Sequence, residues 1–319
     1  MSRRISRRRL VGYGIGLSVV APLLQACGSS ASPPTAVPAT RVIIPTPTAP
    51  PATVRPTVAA ATPTTVPTET PLPETMTSPD YAVQVFLWGS ASAERDLGLA
   101  REAGFRWVKQ SIEWRYVEPH VKGTLEFNEP DRLLGLISKF NLKILARIDN
   151  QPVWARKDKI FPTDGPPDKI QDFADFLHAL ATRYKGKIQA YEIWNEPNLA
   201  REWGNAAPDP EAYVALLKAS HEAVKAADPD AQIITAGLAP TTATGAIAMP
   251  DVEFTQKMYQ AGATKYFDML GAHGAGFKAP PNLSPDAVGK DPQYNHGEGA
   301  SGRIYCFRHV EDIRQVMVD

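Results

Sequence analysis

The stretch with the most chemistry in it is Tyr191-Glu192-Ile193-Trp194-Asn195-Glu196-Pro197-Asn198. Ile188, Ala190, Tyr191, Ile193 and Trp194 make a short apolar and aromatic run of the kind a buried strand needs. Lys185-Gly186-Lys187 breaks the preceding helix, and Pro197 stops the run because it cannot donate a ladder hydrogen bond. An amide, Asn195, and a carboxyl group, Glu196, therefore stand where a strand opens into a loop. Such groups cost free energy beside a buried run unless they have partners or a task. A carboxyl group there can carry a proton to or from a reacting atom. The plainer alternative is that the pair caps the strand or holds a neighbouring backbone.

The elements that must position this pair alternate in type. Apolar runs at 83–88, 107–112, 143–148, 231–236 and 266–272 read as strands, with 188–194 between the third and fourth of them. Helical spacing of apolar residues marks 92–103, a helix opening at Asp131, 168–184, 210–227, 251–262 and 308–318. Strand–helix alternation implies a parallel α/β sheet with chemistry at the C-terminal strand ends. Six βα units of about 40 residues are expected over residues 80–319. A closed (β/α)8 TIM-type barrel needs eight, so the expectation is a barrel that stops short, a fragment without strands seven and eight.

Trp194-Asn195-Glu196-Pro197 resembles the acid/base motif of the retaining glycoside hydrolases with (β/α)8 barrels, the clan that includes families 5 and 39. The resemblance spans roughly residues 80–319. It implies that Glu196 is the general acid/base and that Asn195 binds the sugar 2-hydroxyl. It also implies a partner glutamate at the end of a seventh strand, beyond residue 319, and a β-linked glycan as substrate; without that glutamate, residues 1–319 by themselves are expected to be inactive. Glu298 is the one substitute within the chain, although a solvated loop glutamate fits it better. Burial and a neighbouring carboxylate are expected to raise the Glu196 pKa.

Other polar and aromatic residues fall at strand ends. Trp88 and Trp114 either stack on sugar or fill core, while Glu113 and Glu118 read as structural. Arg147 and Asp149-Asn150 close the third strand, and Arg147 either orients a catalytic carboxylate by a bidentate contact or makes a plain salt bridge inside the barrel. Pro152-Val153-Trp154-Ala155 looks like the clan's Pro-x-Trp-Ala element, which adds Trp154 to the substrate-binding candidates. His273-Gly274-Ala275-Gly276 keeps a histidine found in relatives but loses the tyrosine that often follows, a role Tyr294 could take over. His120, His178, His221, His296 and His309 lack metal-ligand spacing. Neither a zinc site nor a cofactor is expected.

Five arginines and no acid occupy residues 1–26, leaving 29 basic against 34 acidic groups in the rest of a chain of formal charge zero. A nucleic-acid binder would want a basic face, so that class is set aside. Residues 1–26 read as a signal peptide of lipoprotein type, with a twin-arginine look in Ser6-Arg7-Arg8-Arg9-Leu10-Val11. Leu24-Gln25-Ala26-Cys27 resembles a lipoprotein cleavage site, with Cys27 lipidated. Residues 27–79 read as a linker, since 28–79 hold 13 prolines and 13 threonines and cannot bury a core. The expectation is an exported monomer, either anchored by lipid to the outer face of a bacterial membrane or extracellular. The runner-up is a non-catalytic carbohydrate-binding lipoprotein. A transporter's solute-binding lipoprotein would share the leader, but not the repeated βα units with Trp194-Asn195-Glu196-Pro197.

Overall fold

The structure is a computed structural model that describes residues 81–158 and 164–319. The expected leader, Cys27 and the Pro/Thr-rich linker lie outside the described residues.

Five parallel strands pair in sequence order: β1 (Ala82–Gln84), β2 (Trp107–Ser111), β3 (Lys143–Ile148), β4 (Ala190–Ile193) and β5 (Gln232–Thr235). Between them run α1 (Ala93–Glu102), α2 (Trp114–Val117), α3 (Asn128–Lys139), α4 (Ile170–Arg183) and α5 (Pro210–Ala227). After β5 come α6 (Asp251–Gln260), α7 (Pro285–Lys290) and α8 (Val310–Val318). This is a partial α/β barrel.

Alternation along each strand separates two faces. Val108, Ile144, Ala146, Ile148, Tyr191, Ile193 and Ile233 are buried in the main core with residues of α3, α4 and α5. Lys109, Arg147 and Glu192 share the other face, where Lys109 and Glu192 form an ion pair across β3. Local signals fix several boundaries. Asp209 caps α5 by accepting from the Ala212 amide at 3.0 Å, and Pro210 starts the helix where its missing N–H costs nothing.

The sixth strand expected at 266–272 does not form a ladder. Only two single bridges join that segment to β5 and its extension, Ile234 with Met269 and Leu238 with Ala272. Side chains take the places of ladder bonds. The Asp268 carboxylate accepts from the Ile233 amide at 2.7 Å, and the Gly271 amide donates to Thr235 Oγ1 at 2.8 Å. The chain thus has five laddered units and one bridged segment, where six strands were expected. The helix expected to open at Asp131 starts at Asn128, with Pro130 tolerated inside the first turn.

Candidate active site

The loop after β4 is forced by packing. Trp194 sits at φ 75° and Glu196 at φ 41°, a left-handed backbone that side chains rarely adopt. Burial holds Trp194 there. Its ring lies edge-on to Phe173 at 5.8 Å and to Trp203 at 6.3 Å, and its Nε1–H donates to the Glu202 carbonyl at 2.9 Å. Further bonds tie the turn down: the Glu196 amide donates to the Gly237 carbonyl at 3.1 Å, and the Leu199 amide to the Glu196 carbonyl at 2.9 Å. Strain over-determined by packing is a recurrent feature of functional sites.

The Glu196 carboxylate, 18% exposed, has two partners. His273 Nδ1 lies 3.0 Å from Oε1, and Arg201 Nη2 donates to Oε2 at 2.8 Å. Arg201 belongs to a single 3-10 turn, 200–202, and is 69% exposed. Burial pushes the Glu196 pKa up. The His273 hydrogen bond, with the charges of His273 and Arg201, more than offsets it and holds the group below the ordinary glutamate range. The raised pKa expected from the sequence is therefore corrected: two cationic or donor groups from other elements outweigh desolvation.

A polar chain runs sideways from there. Asn195 Oδ1 accepts from Arg147 Nη1 at 3.2 Å, and the Asn195 side chain also bonds Glu202. Arg147 Nε lies 2.7 Å from Asp149 Oδ2, while Ser111 Oγ donates to Asp149 Oδ1 at 3.1 Å. Arg147 thus makes the internal salt bridge and steadies the amide; its contact is with Asn195, not with Glu196. Asp149 is fully enclosed, and burial pushes its pKa up to about 7 against the pull of Arg147. Burial likewise raises Glu202, with Glu196 adding repulsion and Asn195 opposing.

Two features of this site had no sequence signal of their own. Arg201 lies outside the Trp-Asn-Glu-Pro string and reaches Glu196 only because the chain turns back. Gly237 must lack a side chain, because a Cβ there would stand 2.3 Å from the His273 ring. The Gly237 amide also donates to Glu192 Oε1 at 3.2 Å.

The aromatic candidates separate by burial. Trp114 is fully buried, stacked on Phe176 at 5.6 Å, with its Nε1–H donating to Glu118 at 2.6 Å. The sugar-stacking option for it is corrected, since no ligand reaches that ring. Trp154 is half-buried, edge-on to Trp114 at 5.4 Å, and donates to the Glu118 carbonyl at 2.8 Å. Trp88 is half-buried, packs against the main core and lies 5.7 Å from the Tyr116 ring, tilted to it. Tyr294 packs on a separate small cluster with Val288 and Cys306. It makes no hydrogen bond to Glu196 or His273 among the described residues, which corrects its expected stand-in role. Glu298 is exposed and accepts from the Tyr305 hydroxyl at 3.0 Å, away from this network.

No protein-family model matches the chain. Among solved structures it resembles a family 39 glycoside hydrolase from the gut symbiont Bacteroides cellulosilyticus WH2, at 26% identity and TM-score 0.50, over 64% of this chain and 39% of that one. It also resembles a glucosidase from Croceicoccus marinus, at 14% identity and TM-score 0.45, over 66% of this chain and 46% of that one. A third is the endoglucanase Cel5A from Thermotoga maritima, at 18% identity and TM-score 0.38, over 53% and 56%. The chain spans less than two thirds of each of these proteins. Its structural neighbours are glycoside hydrolases.

Proposed function

We propose that the protein takes part in hydrolysis of O-glycosidic bonds in β-linked glycans, with Glu196 as the general acid/base of a retaining mechanism. The observation that carries the reading is the geometry at the end of β4. A constrained loop presents Glu196 beside Asn195, a histidine orients one carboxyl oxygen, and the whole lies at the C-terminal strand ends of a partial barrel. The family 39 structure supports the same reaction class.

In the first step Glu196 gives its proton to the leaving oxygen while a second carboxylate attacks the anomeric carbon and the glycosidic bond breaks; in the second, water attacks that carbon, Glu196 takes its proton and the carboxylate is released. Asn195, held between Arg147 and Glu202, is positioned to donate to a sugar hydroxyl. His273 fixes the direction of the Glu196 carboxyl. Trp88 and Trp154, both half-buried, are the aromatic candidates for contact with the sugar. The attacking carboxylate is assigned to no described residue: Glu202 is engaged by Asn195 and Arg201, and Glu298 by Tyr305. The ionised, Arg201-paired Glu196 also favours a second reading, a glycan-binding protein that does not turn over. In either case the resemblance of residues 1–27 to a lipoprotein leader supports a place of work outside the membrane.

The test is hydrolysis of aryl β-glycosides and β-linked oligosaccharides by the chain joined to a segment that supplies the attacking carboxylate, unaltered and as Glu196→Gln. Turnover should fall about 100-fold or more in the variant. It should fall least for the aryl substrates, whose leaving groups need little protonation. Saccharide binding without turnover by the unaltered joined chain would select the binding-only reading and reject the hydrolase.

A further inference from the structure

We infer a second ligand site, an oxyanion-binding cleft at the opposite end of the strands from Glu196. Its class of ligand is a phosphate ester or free phosphate. The cleft is about 490 Å³, within the range of small-ligand sites. Arg101, Arg106, Lys143 and Lys187 line it together with Ser138 and Asn141, and no carboxylate does.

The four cations come from three successive helix-to-strand connections. Arg101 lies in the last turn of α1 and Arg106 precedes β2; Lys143 opens β3; Lys187 lies in the turn before β4. The three connections are tied to one another. The Lys143 amide donates to the Arg106 carbonyl at 2.9 Å, and the Ile144 amide to Gln189 Oε1 at 2.9 Å. Gln189 Nε2 in turn donates to the Gly186 carbonyl at 3.2 Å. The cations therefore project from a connected backbone.

The two arginines are set apart by having no ion pair among the described residues, whereas the Lys143 ammonium lies 5.1 Å from the Trp107 ring centre and Lys187 is within electrostatic reach of Asp131. Nine of the twelve described arginines form ion pairs with described residues. The three that do not are Arg101, Arg106 and Arg314, and two of those three line this cleft. The nearby carboxylates are already engaged: Asp131 by Arg183 and the Tyr184 hydroxyl, Asp228 by the Gly186 amide. Like charges brought together without a counterion repel, and a bound oxyanion removes that cost. Two guanidinium forks with two ammonium groups suit a doubly charged tetrahedral oxyanion better than a single carboxylate.

The experiment titrates the full chain by calorimetry with inorganic phosphate, with glucose 6-phosphate, and with vesicles of phosphatidylglycerol against vesicles of phosphatidylcholine. Saturable binding that weakens with added salt is expected. It should weaken about tenfold or more in Arg101→Gln/Arg106→Gln. Lys143→Gln/Lys187→Gln, at two exposed positions where folding is not at stake, should weaken it in the same direction. Arg314→Gln should leave it unchanged. Saturation by the soluble phosphates identifies a free ligand; saturation by phosphatidylglycerol vesicles alone identifies a lipid headgroup. Absence of saturation with every probe, or an equal loss in Arg314→Gln, overturns the site.

Discussion

Glu196 and Arg201 show how one contact changes the chemistry of a carboxyl group. Burial raises the Glu196 pKa, but His273 and Arg201 together outweigh it and favour the carboxylate. A general acid must instead carry a proton. A saccharide that covers Glu196 and lifts Arg201 away would leave desolvation as the dominant influence and move the pKa upward. Arg201→Gln imitates half of that change. The Glu196 pKa should rise in this variant, read by carbon-13 NMR of the side-chain carboxyl, and any stability that Glu196 contributes at neutral pH should be lost at a higher pH than before. An unchanged titration would show that His273 alone sets the value. The string Trp194-Asn195-Glu196-Pro197 was legible in the sequence because neighbouring residues carry it. Arg201 and Gly237 were not, because their meaning comes from contacts across 5 and 41 positions, and the His273–Glu196 bond spans 77.

At the scale of elements, β3 and α5 match their sequence reading to the residue, since both boundaries have local causes such as the Asp209-Pro210 start. The segment 266–272 was misread because apolar content cannot reveal that Asp268 and Thr235 would take the ladder's bonds with their side chains. The attachment of α8 was invisible for a similar reason. His309, just before α8, is sandwiched between Asp251 of α6 at 2.8 Å and Asp312 of α8 at 2.9 Å, with His309 and Asp251 both almost fully buried. Burial pushes the His309 pKa down, but the bonds and charges of the two aspartates outweigh it and raise the group above its ordinary value. The clamp therefore contributes fully below the ordinary histidine range and is lost as pH climbs through the folded-state value. His309→Asn should cost about 3 kcal/mol by leaving Asp251 buried without its partner. That is a fall of roughly 10 °C in melting temperature for a domain of this size. The difference from the unaltered protein should shrink as pH rises; a difference independent of pH would contradict the clamp.

Across the whole molecule, the parallel sheet gives its two ends different characters. The C-terminal ends gather Glu196, Asn195, Arg147 and His273 into one polar network. The N-terminal ends gather four cations from three connections. Neither grouping is contiguous in sequence, yet each follows from the repeat of strand and helix, which returns the chain to the same two ends at every unit. The barrel class was legible for that reason. Closure was not: β5 carries only bridges on its outer edge, Phe86 beyond β1 is 79% exposed, and the face that holds Lys109 and Glu192 relies on an ion pair. The central claim remains that the strained loop after β4 presents a proton-carrying carboxyl group to a bound sugar. The most direct measurement is the carbon-13 carboxyl titration of Glu196 in the full chain, with and without a saturating β-linked oligosaccharide. The account predicts a depressed pKa in the free protein that moves upward when the saccharide binds. A Glu196 resonance that titrates identically in both, with the oligosaccharide bound, would contradict it.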